Sequence, residues 1–331
     1  MWSGERRFVE SAECVPPSCH LSPQVGYNTP AVPFYLPVHP YGRRHVMLAQ
    51  QRLDFEFRPM TAADVGNAHE LSIALKWPHR LEDWAMLQRV AQGFVAVRNG
   101  RLIGSAFACH QGEFSTIGLV IVSDDYQGKG IGRKLMELAV GSIPPRTAIL
   151  NATLAGAPLY EKMGFVSFGE IQQRQGQAQL PDATLLTAEE SCRVLSEADH
   201  DRVLELGNAG SGLDRSVTLG DVLNNLEHAV GIDRDGQLQA FALLRPFGRG
   251  LCIGPVVAQT VEQARHMIEH LLARVPYAFV RIDIPTHCGL ADWLEAAGLK
   301  RVDSVTCMSM GAVPQAREGV SQFALITQAI G

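Results

Sequence analysis

Gly128-Lys129-Gly130-Ile131-Gly132-Arg133-Lys134 places three closely spaced glycines among basic side chains, directly after the apolar run "FSTIGLVIV". Residues of these types can hold a phosphate. Bare backbone lets an anion approach closely, the first N–H groups of a following helix are unpaired, and the helix dipole favours negative charge. A Walker A loop would need a hydroxyl after Lys129, where Gly130 stands, and a dinucleotide fingerprint would need glycine where Arg133 stands. The seven residues fit either an anion cradle or a tight strand-to-helix turn without a ligand.

The surrounding elements follow from periodicity. "LDFEFRP" alternates as a strand does, and "TAADVGNAHELSIAL" puts Val65, Ala68, Ser72 and Leu75 at helical spacing, with Thr61 as N-cap. A short helix carries Leu81, Trp84 and Leu87. "GFVAVRNGRLIGSAFACH" is a hairpin turning at Asn99-Gly100, where positive φ is wanted. "FSTIGLVIV" is the strand that enters the glycine loop, and Ile131, Leu135 and Leu138 form the apolar face of the helix that leaves it. "TAILNAT", "PLYEKM" and "GFVSFGE" read as strand, helix and strand.

Beyond the glutamine-rich "IQQRQGQAQLPD", read as a linker, the order repeats. A hairpin turns at Asp235-Gly236, "GLCIGPVVA" matches "FSTIGLVIV", "VEQARHMIEHLLARV" is the following helix, and "AFVRIDIP" and "LADWLEAAGLKRVD" close the set. Gly100 to Gly118 and Gly236 to Gly254 are equal intervals. Such self-similarity marks a duplication, against the plainer alternative of two unrelated α+β domains. The expected division is an irregular arm over 1–50, a first domain over 51–175, a linker over 176–183 and a second domain over 184–331.

Gln127-Gly128-Lys129-Gly130-Ile131-Gly132 resembles the Q/R-x-x-G-x-G/A signature of the GNAT N-acetyltransferase superfamily, and "NATLAGAPLYEKMGFVSFG" is similar to that family's later segment. The resemblance covers roughly residues 53–172. It implies an α+β fold of two tandem GNAT-like lobes, each a mixed, mostly antiparallel sheet flanked by helices. It implies acetyl-CoA or another acyl-CoA, its pyrophosphate on the amides around Gly128, Lys129, Gly130, Ile131, Gly132 and Arg133, with Gln127 beside them. The pantetheine arm would run along Val120 and Val122, where the strand splays from its neighbour, with Asn151 as a polar contact. Tyr160 would be the general acid that protonates the leaving sulfur, and a backbone N–H near Val122 would polarise the thioester. Many relatives carry a glutamate base on the strand before the loop. This strand offers no carboxylate, and Glu113 precedes it near a turn, so the base stays open.

In "KWPHRLEDW", Trp77, His79 and Trp84 fit either an acceptor pocket or an inter-helix corner. The second half has no glycine in "AQTVEQARHM", places Glu262 where phosphate would come, and keeps no tyrosine in "DWLEAAGL". It reads as a copy that lost the cofactor site, with Asp214, Arg215 and Asp283 as polar groups for the cleft between lobes.

The function expected is N-acetylation of a small-molecule primary amine. A protein lysine or N-terminus as acceptor, a non-catalytic acyl-CoA sensor, and a second lobe that serves only homodimerisation are the alternatives. A net charge of −5 argues against nucleic acid as the main partner, and no apolar run approaches the ~20 residues of a membrane helix. Seven scattered cysteines suit a reducing cytoplasm. Cys14, Cys19 and His20 lie close together without a second ligand pair, so no metal is expected.

Overall fold

The structure, a computed structural model, describes residues 55–331 apart from Pro145 and Asp182; the arm expected over 1–50 lies outside them. The first half runs β1 (Glu56–Pro59), α1 (Val65–Ala74), α2 (Leu81–Val90), β2 (Gln92–Arg98), β3 (Arg101–Gln111), β4 (Phe114–Val122), α3 (Ile131–Gly141), β5 (Thr147–Ala152), α4 (Ala157–Glu161) and β6 (Val166–Gln177). The second runs β7 (Glu190–Val194), α5 (His200–Ser211), α6 (Ser216–Leu223), β8 (His228–Arg234), β9 (Gln237–Phe247), β10 (Gly250–Ala258), α7 (Val261–Leu272), β11 (Phe279–Pro285), α8 (Ala291–Ala296), β12 (Lys300–Met310) and a short β13 (Ser321–Ala324). The two hairpins turn where the sequence places them: Asn99-Gly100 and Asp235-Gly236 all have positive φ. Thr61 caps a single 3-10 turn rather than α1 itself, its hydroxyl and N–H both donating to Asp64.

The strands form one mixed sheet in the order β1-β2-β3-β4-β5-β12-β6-β11-β10-β9-β8-β7, with β13 paired to β10. Among the described residues only β4–β5 and β10–β11 pair in parallel. At the centre the halves exchange strands: β12 lies between β5 and β6, and β6 between β12 and β11. The reading of "IQQRQGQAQLPD" as linker is corrected here, since Ile171–Gln177 pairs along β11. The polar run tolerates a central position because its side chains are satisfied: Arg174 donates to Gln172 at 3.2 Å and to Glu295 at 2.9 Å.

Three main cores hold the sheet. One packs α3 and α4 on the first half, through Ile117, Leu135, Met136 and Leu150. A second packs α7 and α8 on the second half, through Ile253, Ile268, Leu271 and Ile282. The third belongs to both halves: Leu71, Trp84 and Leu87 of α1 and α2 share it with Val203, Leu206 and Leu219 of α5 and α6. Among the described residues no helix is long and apolar enough to cross a membrane.

Candidate active site between the two halves

The glycine loop owes its shape to two residues in the left-handed region, Gly128 (φ 72°) and Gly130 (φ 81°). A β-carbon at either would meet open space, so backbone conformation, not crowding, requires glycine there. No backbone or side-chain acceptor among the described residues takes the N–H groups of Gly128 to Arg133. Six consecutive free donors at the start of an 11-residue helix make an anion cradle. Arg133 is exposed beside it. Gln127 instead braces the loop, donating to the Val122 carbonyl at 3.1 Å and to Asp124 at 2.8 Å. Lys129 donates to the Asp125 carbonyl at 2.6 Å and lies over the Tyr126 ring.

The strand feeding this loop separates from its neighbour. β4 and β5 pair from Phe114–Thr147 to Ile117–Leu150 and no further, so the β5-facing edge of Gly118–Val122, including Val120, is unpaired. A bulge at the opening leaves Leu119 and Val120 without partners on β3. It also holds Leu119 at φ 45°, a strained value for leucine, with the buried Ser105 hydroxyl donating to its carbonyl at 2.9 Å. Val122 pairs with Gly104 on β3.

A cavity of about 130 Å³ lies against this opening. Gly118, Leu119 and Asn151 form one side, and Trp77 and His79 another. The second half contributes Phe247, Arg281 and Asp303, and the C-terminal residues Thr327, Gln328 and Ala329 complete it. Those last residues form a strap. Asn151 donates to the Gln328 carbonyl at 3.0 Å, the Gln328 amide donates to Asp283 at 3.3 Å, and a β-carbon on Gly118 would collide with the Ala329 backbone. Asp283 is fully buried and paired with Arg281 at 2.8 Å, behind the cavity. Arg215 is buried on the far side of the strap, donating to Gln111 at 2.6 Å and to the Ile330 carbonyl. A larger cavity of about 310 Å³ lies there, beside Arg215 and Cys307.

Four expected pocket residues do not line this cavity: Asp283 and Arg215, placed above, and Trp84 and Asp214. Trp84 is fully buried in the shared core, its indole N–H donating to Ser72 at 3.1 Å, because the amphipathic face of α2 points inward there. Asp214 is exposed and accepts from the Ser216 N–H at 3.0 Å as a local cap. Trp77 and His79 stay at the cavity because their loop is pinned to the β9–β10 hairpin: Arg80 donates to the Pro246 carbonyl at 2.9 Å and Asp83 accepts from the Gly248 N–H. His79 sits among Trp77, Trp84 and Phe247, and burial, then the charge of Arg281, lowers its imidazole to about 4. Tyr160 lies on the other face of the sheet with the α3 core, edge-on to Phe165, and burial pushes its phenol up to about 12.

The second half has the same opening and fills it. β10 and β11 pair only from Leu251–Val280 to Ile253–Ile282; beyond that β13 pairs with Val256–Ala258 and the Leu325 N–H donates to the Asp283 carbonyl. Nor is the α7 N-terminus free. Thr260 accepts from the Gln263 N–H at 3.2 Å, and Gln263 in turn accepts from the Gln259 N–H at 2.8 Å.

Comparison with known proteins decides the family. Two acetyltransferase (GNAT) domain models match the chain, over residues 72–181 and 203–323. The chain belongs to the GNAT acetyltransferase family. It is a tandem GNAT protein and an N-acetyltransferase, similar to the uncharacterized N-acetyltransferase YitH of Bacillus subtilis (strain 168). The two are 32% identical over 223 residues, 66% of this chain and 78% of that one. A protein of Pyrococcus horikoshii assigned as an acetyltransferase shares the fold, with a TM-score of 0.69 and 18% identity over 88% of this chain and all of its own. So does a tandem GNAT protein of the clavulanic acid biosynthesis pathway, with a TM-score of 0.55 and 16% identity over 78% of this chain and 99% of its own. In this GNAT chain, sequence reasoning missed Phe247, Arg281, Asp303 and the strap. The apolar "FALITQAI" near the end was the one available sign of a further strand.

Proposed function

We propose that this chain acetylates the primary amine of a small molecule in the cavity between its halves, using acetyl-CoA held by the first half alone. The observation that carries the reading is the continuity of three features. Free amides at Gly128–Arg133 lead to an unpaired strand edge, and that edge ends at a cavity.

Bound acetyl-CoA supplies an activated acyl thioester. Gly128 to Arg133 would hold its diphosphate with backbone N–H groups and the Arg133 charge, and the free edge of β4 would pair with its amide arm as an added strand does. The N–H groups that face the open side, Val122 among them, are the candidates for oxyanion donor. The Ser123 N–H donates to the Ile103 carbonyl, so Val122, one residue earlier in the antiparallel pair, turns its own N–H away from β3. Asp303 at the cavity draws in an ammonium, and the neutral His79 hydrogen-bonds the amine. An imidazole lowered to about 4 stores a proton poorly at neutral pH, so the amine loses its proton to water at the Asp303 side. Tyr160, held protonated on the α3 face of the sheet, would donate to the departing sulfur where the thioester passes through the gap between β4 and β5. A phenol pushed up to about 12 gives its proton up completely only where the same dry surroundings also raise the thiolate.

Walls from both halves favour a small acceptor over a lysine on a folded protein surface. The test is thiol release from acetyl-CoA against a panel of amines and amino acids, with lysine-bearing peptides alongside. Turnover with at least one free small amine is expected; turnover with peptides alone replaces the acceptor class, and coenzyme A binding without any turnover favours a sensor.

A further inference from the structure

Far from the cleft, on the outer side of the second half, Cys192 of β7 meets His266 and His270 of α7. The Cys192 thiol and one nitrogen of each ring all lie within 4.8 Å of one another. Helical geometry puts residues four apart on one face, and β7 lies beneath that face because Gln263, one turn earlier, donates to Glu190 at 2.6 Å. One sulfur and two imidazoles suit a borderline-soft divalent ion.

A second observation points the same way. The His266 Nδ1 lies 2.7 Å from the Thr184 carbonyl. A carbonyl only accepts, so Nδ1 carries the proton and Nε2 keeps its lone pair, the arrangement by which proteins orient a ligating histidine. His270 Nε2 also keeps its lone pair, since its partner at 3.2 Å is the Arg274 guanidinium, which only donates. That contact is exposed, and a metal would displace it.

We propose that Cys192, His266 and His270 bind zinc or a similar transition metal and thereby fasten the edge strand β7 to α7. Cys192 is a free thiol whose pKa burial raises to about 11, so it meets the ion protonated. Binding forms the metal–sulfur bond and releases the thiol proton to solvent. Three protein ligands leave a fourth position for water. With a neighbour on one side only among the described residues, β7 gains from such a fastening what β6 and β12 have from neighbours on both sides.

The experiment is a cobalt(II) titration of the untagged full-length chain, with Cys14 and Cys19 replaced by serine to remove competing thiols. A thiolate-to-cobalt charge-transfer band saturating at one ion per chain is expected, abolished by Cys192→Ser and with affinity lowered at least about tenfold in His270→Gln. Zinc should raise the melting temperature of the parent and leave that of Cys192→Ser unmoved. Absence of the band, or a band that survives Cys192→Ser, overturns the proposal. Melting of the metal-free variants at the parent temperature shows that lost binding is not lost folding.

Discussion

His79 and Tyr160 are each held in one protonation state by burial, and each has a measurable consequence. The His79 imidazole lies near 4 in the folded chain against 6.5 for the free side chain. Between those values the unfolded chain binds a proton that the folded chain does not. Its contribution is therefore fully present above about 6.5 and is lost as pH falls towards about 4, on the order of 3 kcal/mol in total. His79→Phe should flatten the pH dependence of urea unfolding across that window; an unchanged slope would mean the ring titrates freely. For Tyr160, removing the hydroxyl in Tyr160→Phe should lower kcat by about 100-fold or more while coenzyme A affinity stays constant. Equal turnover would remove it from the chemistry. Both residues stood out in the sequence, His79 by its aromatic company and Tyr160 by its motif. Trp84 stood out equally and is core, because a tryptophan on a helix facing inward looks the same in sequence as one facing a cavity.

At the scale of elements, the contrast between α3 and α7 carries the argument for one cofactor site. α3 begins with free amides and a left-handed glycine, whereas α7 begins with Thr260 and Gln263 satisfying its own donors. Gly130→Ala should cost roughly 1–2 kcal/mol of stability through its positive φ and weaken coenzyme A binding about tenfold. Thr260→Ala should cost about 1 kcal/mol as a lost cap and leave coenzyme A binding unchanged. Calorimetric titration of both variants with coenzyme A separates these outcomes, and weakened binding in Thr260→Ala would point to a second cradle. The loop was legible because its chemistry is local: glycine spacing and a following amphipathic face are properties of consecutive residues. The occupant of the second opening was not. β13 comes from beyond β12, and no local pattern shows that it returns to β10.

For the whole molecule, strand exchange and the shared core make the halves interdependent. A chain ending at residue 181 would leave β5 without β12, β6 without either neighbour, and α1 and α2 without α5 and α6. We expect it to show no cooperative thermal transition, so the second half cannot be a detachable dimerisation module; a folded monomer from that truncation would contradict this. The strap links the same whole to the cavity proposed for the acceptor. Gly118→Ala forces a β-carbon into the Ala329 backbone, so it should raise acceptor KM with coenzyme A affinity intact. A fall in both affinities would show instead that the opening itself had collapsed.

The amino-acid sequence by itself determined the duplicated α+β plan, the glycine loop, its loss in the second half and the tyrosine motif, because each is written in residues near one another along the chain. Only the tertiary structure decided that the halves trade strands, that β13 fills the second opening, and that Phe247, Arg281, Asp303 and the strap wall the first. Those arrangements rest on pairing and packing between segments remote in sequence. Backbone hydrogen bonds carry no side-chain signature of their partner, so residues alone could not announce them.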